Sequence, residues 1–334
     1  MIEVISSRKS FEIKSITIRS SLLQNPAGVA DQRDVSVYIP NAKGKHPVLY
    51  YLTPWTQSGK QAFGWQAFKE PLDEKISRLI SEKKIPPVVV VAPDLYTYFG
   101  GSQFIDSPFL GSHASFIVKE LTAFIESNFP VAPGWHHRGV FGRSSGGFGG
   151  LRLAMDFEQA FASVACHSGD LGFDAAYRHD LLLLPQELSR FDNDCDRFIK
   201  YTKSAAKLRS TEVHVLMLLG MAASYSPNPE ISCGFDLPID LWTGEIKEDV
   251  WRRWLAHDPV CRLDQTWRNL TGLKRLFIDC GKKDQYNLHF GARQLSKKLK
   301  NLKVEHSYEE FDDNHSGTEY RFDASLPEIV GVLV

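Results

Sequence analysis

The stretch Gly139-Val140-Phe141-Gly142-Arg143-Ser144-Ser145-Gly146-Gly147-Phe148-Gly149-Gly150 constrains the fold of this 334-residue chain more than any other. A short apolar run, Arg138 to Gly142, leads into Gly-x-Ser-x-Gly, and Leu151-Arg152-Leu153-Ala154-Met155 follows with the make-up of a helix. A strand that turns this abruptly into a helix leaves no room for a Cβ on either side of the central residue, hence Gly142 and Gly146. The plainer alternative is a glycine-rich turn that only packs a helix tightly on a sheet. The strand–turn–helix context favours the elbow, in which the Ser144 hydroxyl projects from the sheet edge.

The remaining pattern is that of an α/β chain. Phe11–Arg19 and Asp34–Ile39 alternate apolar and polar residues, with turn chemistry at Asn25-Pro26-Ala27-Gly28 between them. They are expected to pair antiparallel at one edge of the sheet. Pro47–Leu52, Pro87–Ala92 and Phe161–Cys166 are continuous apolar runs, as befits inner strands covered on both faces. The third run ends at His167-Ser168-Gly169-Asp170. Helical spacing appears in Phe68–Lys83, in Ser115–Asn128 and from about Leu288 to Leu299, while Tyr96–Ser112 reads as a long polar-aromatic loop. Leu276–Gly281 and Val304–Phe311 complete the strands, and Leu326–Val334 reads as a closing helix. This alternation predicts a mostly parallel sheet with helices on both faces. Residues 171–260 break the rhythm with helices and loops, and Val213–Leu219 is readable as strand or helix. The expected organisation is one core, 1–170 with 261–334, and a mainly helical cap, 171–260, between the sixth and seventh strands.

Composition excludes several classes of function. With 39 basic and 40 acidic side chains the formal net charge is −1, so no overall field draws the chain to nucleic acid or a membrane. Cys166, Cys195, Cys233, Cys261 and Cys280 have neither metal-type spacing nor a disulfide framework, which fits a reducing compartment. The first nine residues carry charges where a secretory leader needs an apolar core, and Val213–Ala223 is too short to span a bilayer. A cytoplasmic protein without cofactor or metal is expected; a homo-oligomer is compatible with the sequence.

A serine hydroxyl becomes a useful nucleophile only when a base takes its proton and a third group orients that base. In an α/β-hydrolase fold the partners follow in the order Ser…Asp/Glu…His, beyond the carboxyl ends of later strands. Asp284 stands just after the strand ending at Cys280 and His315 just after the last strand, so Ser144, Asp284 and His315 are the candidate set. Asp279 is a rival acid. His289 and His306 are rival bases, the first preceding the last strand and the second falling inside it. His136-His137 precedes the elbow strand, on the wrong side of the sheet for chemistry. An oxyanion needs two backbone donors. Ser145 is one; Pro54 has no N–H, so Trp55 is the other. Tyr98, Gln103 and Trp254 are candidates for the substrate pocket.

Several of these segments together resemble the putative esterase family of α/β-hydrolases, which includes S-formylglutathione hydrolase, enterochelin esterase, feruloyl esterases and mycolyltransferases. The resemblance runs from about Asp34 to Pro327. It rests on the strand Pro47–Leu52, Val91-Ala92-Pro93-Asp94, Gly100–Ser107, Gly142–Gly147, Asp279–Asp284 and Phe311–His315. It implies Ser144 as nucleophile, Asp284 as acid and His315 as base of a serine esterase acting on a small ester or thioester. Acyl transfer to another acceptor, or a binding protein on the same fold, are the alternatives. Many relatives carry His-Gly where this chain has Thr53-Pro54, and the 171–260 segment is where such families differ.

Overall fold

In the computed structural model, which describes residues 2–334 and so leaves Met1 outside, the apolar runs become the inner strands of one nine-stranded sheet. In chain order the strands are β1 (Ile2–Ser7), β2 (Phe11–Arg19), β3 (Gln32–Pro40), β4 (Val48–Leu52) and β5 (Val89–Pro93). A small hairpin of β6 (Asp106–Ser107) and β7 (Gly111–Ser112) lies apart, within the segment expected to be a loop. The main sheet continues with β8 (Arg138–Arg143), β9 (Ser163–His167), β10 (Arg275–Gly281) and β11 (Ser307–Phe311). The order across the sheet is β1-β2-β3-β5-β4-β8-β9-β10-β11. From β5 to β11 every neighbour is parallel, whereas β1, β2 and β3 run antiparallel to theirs.

The chain winds outward from β4 to β5, then returns to place β8 on the other side of β4. The sheet therefore has its topological switch point between β4 and β8, the place where open α/β sheets form a crevice beyond the carboxyl ends of their strands. Alternate residues of these strands feed two cores. Val48, Tyr50, Leu52 and Val140 pack with the elbow helix Ser145–Asp156, while Leu49, Tyr51 and Phe141 pack with the helices Leu72–Ser81 and Phe322–Gly331. Each such side chain removed from water contributes about 1.5–3 kcal/mol.

Two expectations are corrected and one open reading is decided. The sheet edge belongs to β1, whose Ile2, Val4 and Ile5 are exposed, so the β2–β3 pair sits one strand inward. Val213–Leu219 lies within the helix Ser210–Tyr225, which is buried on so many sides that no amphipathic period shows in its sequence. His306 precedes β11 and is tied to Ser296 Oγ and the Val304 carbonyl, both at 2.9 Å.

Between β9 and β10 the chain runs through a series of helices from Phe173 to Leu255. Asp258 clasps the two ends of this excursion: its carboxylate accepts the amides of Gly172 (3.0 Å), Phe173 (2.9 Å) and Val260 (3.0 Å). The next helix, Pro259–Leu270, is bonded to the elbow helix through Arg262 to Asp156 and Asn269 to the Met155 carbonyl. No helix among the described residues is long and apolar enough to cross a membrane.

Beneath the switch point, His167 links three elements. Its Nδ1 meets Asp279 Oδ1 and its Nε2 meets Ser325 Oγ, each at 2.8 Å, and Arg321 Nε donates to the other Asp279 oxygen at 2.9 Å. His167, Asp279 and Ser325 are sealed from solvent, so this network braces β9, β10 and the C-terminal helix. His167→Leu is expected to cost about 2–4 kcal/mol by leaving buried polar partners unmatched. A urea titration checks this, and an unmoved midpoint would mean that the network adds nothing to stability.

Candidate active site

The elbow forms as its glycines require. A Cβ on Gly146 would lie 2.0 Å from the Leu52 carbonyl oxygen, and one on Gly142 would lie 2.5 Å from the same atom. The elbow helix therefore starts directly against the end of β4. Ser144 adopts φ 57° and ψ −128°, a costly backbone for a residue with a side chain. Its N–H donates to the His167 carbonyl and its carbonyl accepts from Phe148, both at 2.9 Å, so the turn is held on both sides.

Asp284 and His315 are brought together. The Asp284 carboxylate is buried, and its Oδ2 lies 2.8 Å from His315 Nδ1 while its Oδ1 accepts the Tyr286 amide at 2.9 Å. An ionised carboxylate can only accept, so Nδ1 carries the proton and Nε2 is left with its lone pair. The His315 backbone is pinned too: its N–H donates to Gln285 Oε1 at 3.0 Å, and its carbonyl accepts from Arg143 at 2.9 Å. Arg143, the x of the motif before Ser144, thus ties the histidine loop to the elbow. The Tyr286 ring stands edge-on to the imidazole at 4.9 Å.

Ser144 and His315 line one cleft of about 570 Å³ together with Trp55, Gln103, Asp170 and Tyr177. The contact recorded for the Ser144 hydroxyl runs to Asp170 Oδ1 at 3.5 Å, not to His315. The amides of Ser145 and Trp55 have no protein acceptor among the described residues. The Trp55 ring is wedged: a Cβ on Gly101 would lie 2.5 Å from it, and one on Gly220 2.7 Å. The helix Ser210–Tyr225 supplies one wall of the cleft through Val213, His214, Met217 and Met221.

The rival acid and bases separate by position. Asp279 is committed to His167 and Arg321, and His306 to Ser296. His289 is buried in the helix Leu288–Asn301 against Phe290 and lines no part of the cleft. Two pocket candidates are displaced. Tyr98 packs on Phe99, lies under the Lys203 ammonium at 3.7 Å, and lines a separate surface depression with Cys233. The turn closed by the Gly100 N–H to the Thr97 carbonyl sends Phe99 inward and Tyr98 away from the cleft. Trp254 is fully buried, with its Nε1 on Ser226 Oγ at 2.9 Å, and belongs to the interior of the inserted helices. Gln103 alone of the three reaches the cleft.

Asp170 was not singled out by sequence, although it follows β9 much as Asp284 follows β10. Burial pushes its carboxyl up to about 6, opposed chiefly by the Tyr177 hydroxyl and His315. Together the groups present an orientable serine, an imidazole with a free Nε2 and two vacant amides. Such a set suits attack on a carbonyl carbon.

The sequence profile described as putative esterase matches residues 27–333. Esterase MT1326 of Mycobacterium tuberculosis is 34% identical over 88 residues, a stretch that takes 25% of this chain and 18% of that protein. The match thus spans less than a fifth of the length of the curated relatives. Among solved structures, a ferulic acid esterase superposes with a TM-score of 0.61 at 16% identity, over 97% of this chain and 99% of the other. An S-formylglutathione hydrolase from Agrobacterium tumefaciens gives 0.61 at 17% identity, over 99% and 100%. At these identities the likeness establishes the α/β-hydrolase fold, as expected from the sequence.

Because Asp170 has its carboxyl raised in the folded chain, it favours folding at low pH, and this contribution is lost as pH rises through about 6. Asp170→Asn removes the buried charge without changing shape. It is expected to be more stable than the parent at pH 8, by about 2–3 kcal/mol, and to show no gain near pH 3. Paired denaturant curves at the two pH values check the sign.

Proposed function

We propose that this chain, which belongs to the putative esterase family, is a serine hydrolase that cleaves a small carboxylic ester or thioester through an acyl-enzyme on Ser144. The observation that carries the reading is the 2.8 Å bond between His315 Nδ1 and Asp284, which leaves Nε2 free in the cleft shared with Ser144. The Ser144 hydroxyl turns from Asp170 toward Nε2 and gives up its proton as Oγ bonds to the ester carbonyl carbon. The amides of Ser145 and Trp55 hold the oxyanion. The bond to the leaving oxygen or sulfur then breaks, with the proton on Nε2 going to the leaving group. Water, deprotonated by the same nitrogen, releases the acid and restores Ser144. Asp284 stays ionised throughout and keeps the imidazole in the required tautomer.

The inserted helices, 171–260, act in this reading as a cap that shapes one wall of the cleft. The five free thiols support a reducing, cytoplasmic setting.

Burst and steady-state hydrolysis of p-nitrophenyl acetate provides the test. Ser144→Ala, folded by circular dichroism, should lose at least about 10³-fold in kcat, and Asp284→Asn should lose a comparable factor by spoiling the tautomer. In the wild type kcat/KM should fall on the acid side, where protonated His315 cannot accept. Equal rates in wild type and Ser144→Ala would overturn the assignment.

A further inference from the structure

The steps above make no use of Asp170, a carboxylate nearly sealed from solvent beside the nucleophile. Its hydrogen-bonding needs are poorly met. Ser144 Oγ and Gln103 Nε2 each approach it at 3.5 Å, the outer limit for such a bond, and the Tyr177 hydroxyl faces it from the helix turn beyond β9. Among the described residues no lysine or arginine pairs with it, and the imidazole that attracts it, His315, is held by Asp284. Of the cations lining the cleft, Arg143 is committed to the His315 carbonyl and Glu319, and Lys69 is paired with Glu319. Gln103 is equally buried. Its NH₂ end must face the carboxylate, since the opposite orientation would set two acceptors against each other, so its Oε1 is the group left over. That oxygen has no donor among the described residues. Buried acceptors left this way are costly unless something supplies the missing hydrogens.

The chemistry sharpens the need. When the Ser144 hydroxyl turns to His315, Asp170 loses one of its few donors at the moment when negative charge develops on the neighbouring carbonyl oxygen. A bare carboxylate there opposes the oxyanion. A substrate that brings its own donor removes both difficulties.

We propose that Asp170, Gln103 and Tyr177 form a subsite for a hydrogen-bond donor carried by the substrate within a few bonds of the scissile ester, a hydroxyl or an ammonium group. The inference rests on the hydrolase reading above and names its substrate class. The raised carboxyl of Asp170 is consistent with an acceptor awaiting a donor. An ammonium answers both the charge and the hydrogen bond, whereas a hydroxyl answers the hydrogen bond alone.

The test uses the full chain at pH 7.5, after a fluorophosphonate probe has been shown to label wild type and not Ser144→Ala. Acid release is then followed for ethyl butyrate, ethyl 3-hydroxybutyrate and ethyl 3-aminobutyrate, and for 2-hydroxyethyl butyrate, which carries the donor on the alcohol side. Wild type is expected to favour at least one donor-bearing ester over ethyl butyrate by tenfold or more in kcat/KM. In Asp170→Leu that ratio should fall below twofold, whatever happens to the absolute rates. Asp170→Asn keeps an acceptor but no charge, so it should retain a hydroxyl preference and lose an ammonium preference. If Asp170→Leu does not fold, Gln103→Leu is expected to lower the same ratio at least threefold. A labelled wild type with no preference on either side of the ester, or a preference unmoved by these variants, overturns the subsite. Failure of labelling would instead overturn the hydrolase reading itself.

Discussion

The approach of the elbow helix to the end of β4 is the contact on which the rest of the site depends. With only hydrogen at Gly146, the helix start closes onto the Leu52 carbonyl. The turn that follows β4 and the turn that follows β8 then share one wall. One turn carries Trp55 and the other carries Ser144 and Ser145, so Trp55 and Ser144, distant in sequence, line the same cleft. The topological switch between β4 and β8 makes this convergence possible, because adjacent parallel strands release their loops at the same sheet edge.

A second coupling runs at right angles to the first. Arg143 is buried, and its guanidinium bridges the His315 carbonyl and Glu319. The residue before Ser144 thereby fixes the loop that bears the imidazole. Gln285 holds the same loop from the amide side. The position of the histidine is thus set by backbone anchors on both of its peptide groups as well as by Asp284. Below them, the sealed His167–Asp279–Ser325 network ties together the strand that leads to Asp284 and the one that supports the elbow.

Much of this was legible in the sequence because the core follows local rules. Continuous apolar runs became inner strands, and the Gly-x-Ser-x-Gly stretch became a strained turn. Asp284 and His315 were found by their places after the last two strands, and they meet in the structure. What failed to show in sequence depends on how the chain is covered. The Ser210–Tyr225 helix is packed on nearly all sides and therefore has no polar face to set a period. Tyr98 and Trp254 were plausible pocket residues by composition alone, but a turn at Thr97–Gly100 sends one outward and a shared interior absorbs the other. Asp170 carried a positional signal equal to that of Asp284. It was missed because the expected triad needed only one acid.

The clasp at Asp258 has a consequence for how such a chain can diverge. It joins residues 86 positions apart, so the two ends of the excursion meet at a single buried carboxylate. The entropy of closing such a loop grows only with the logarithm of its length; doubling it costs about 0.6 kcal/mol. Length changes in the exposed loops between the two anchor points, such as 229–232, therefore cost the sheet little. The exposed loops thus behave as a replaceable cassette, whereas the helix that walls the cleft is tied through Gly220 to the Trp55 ring and with it to the turn after β4.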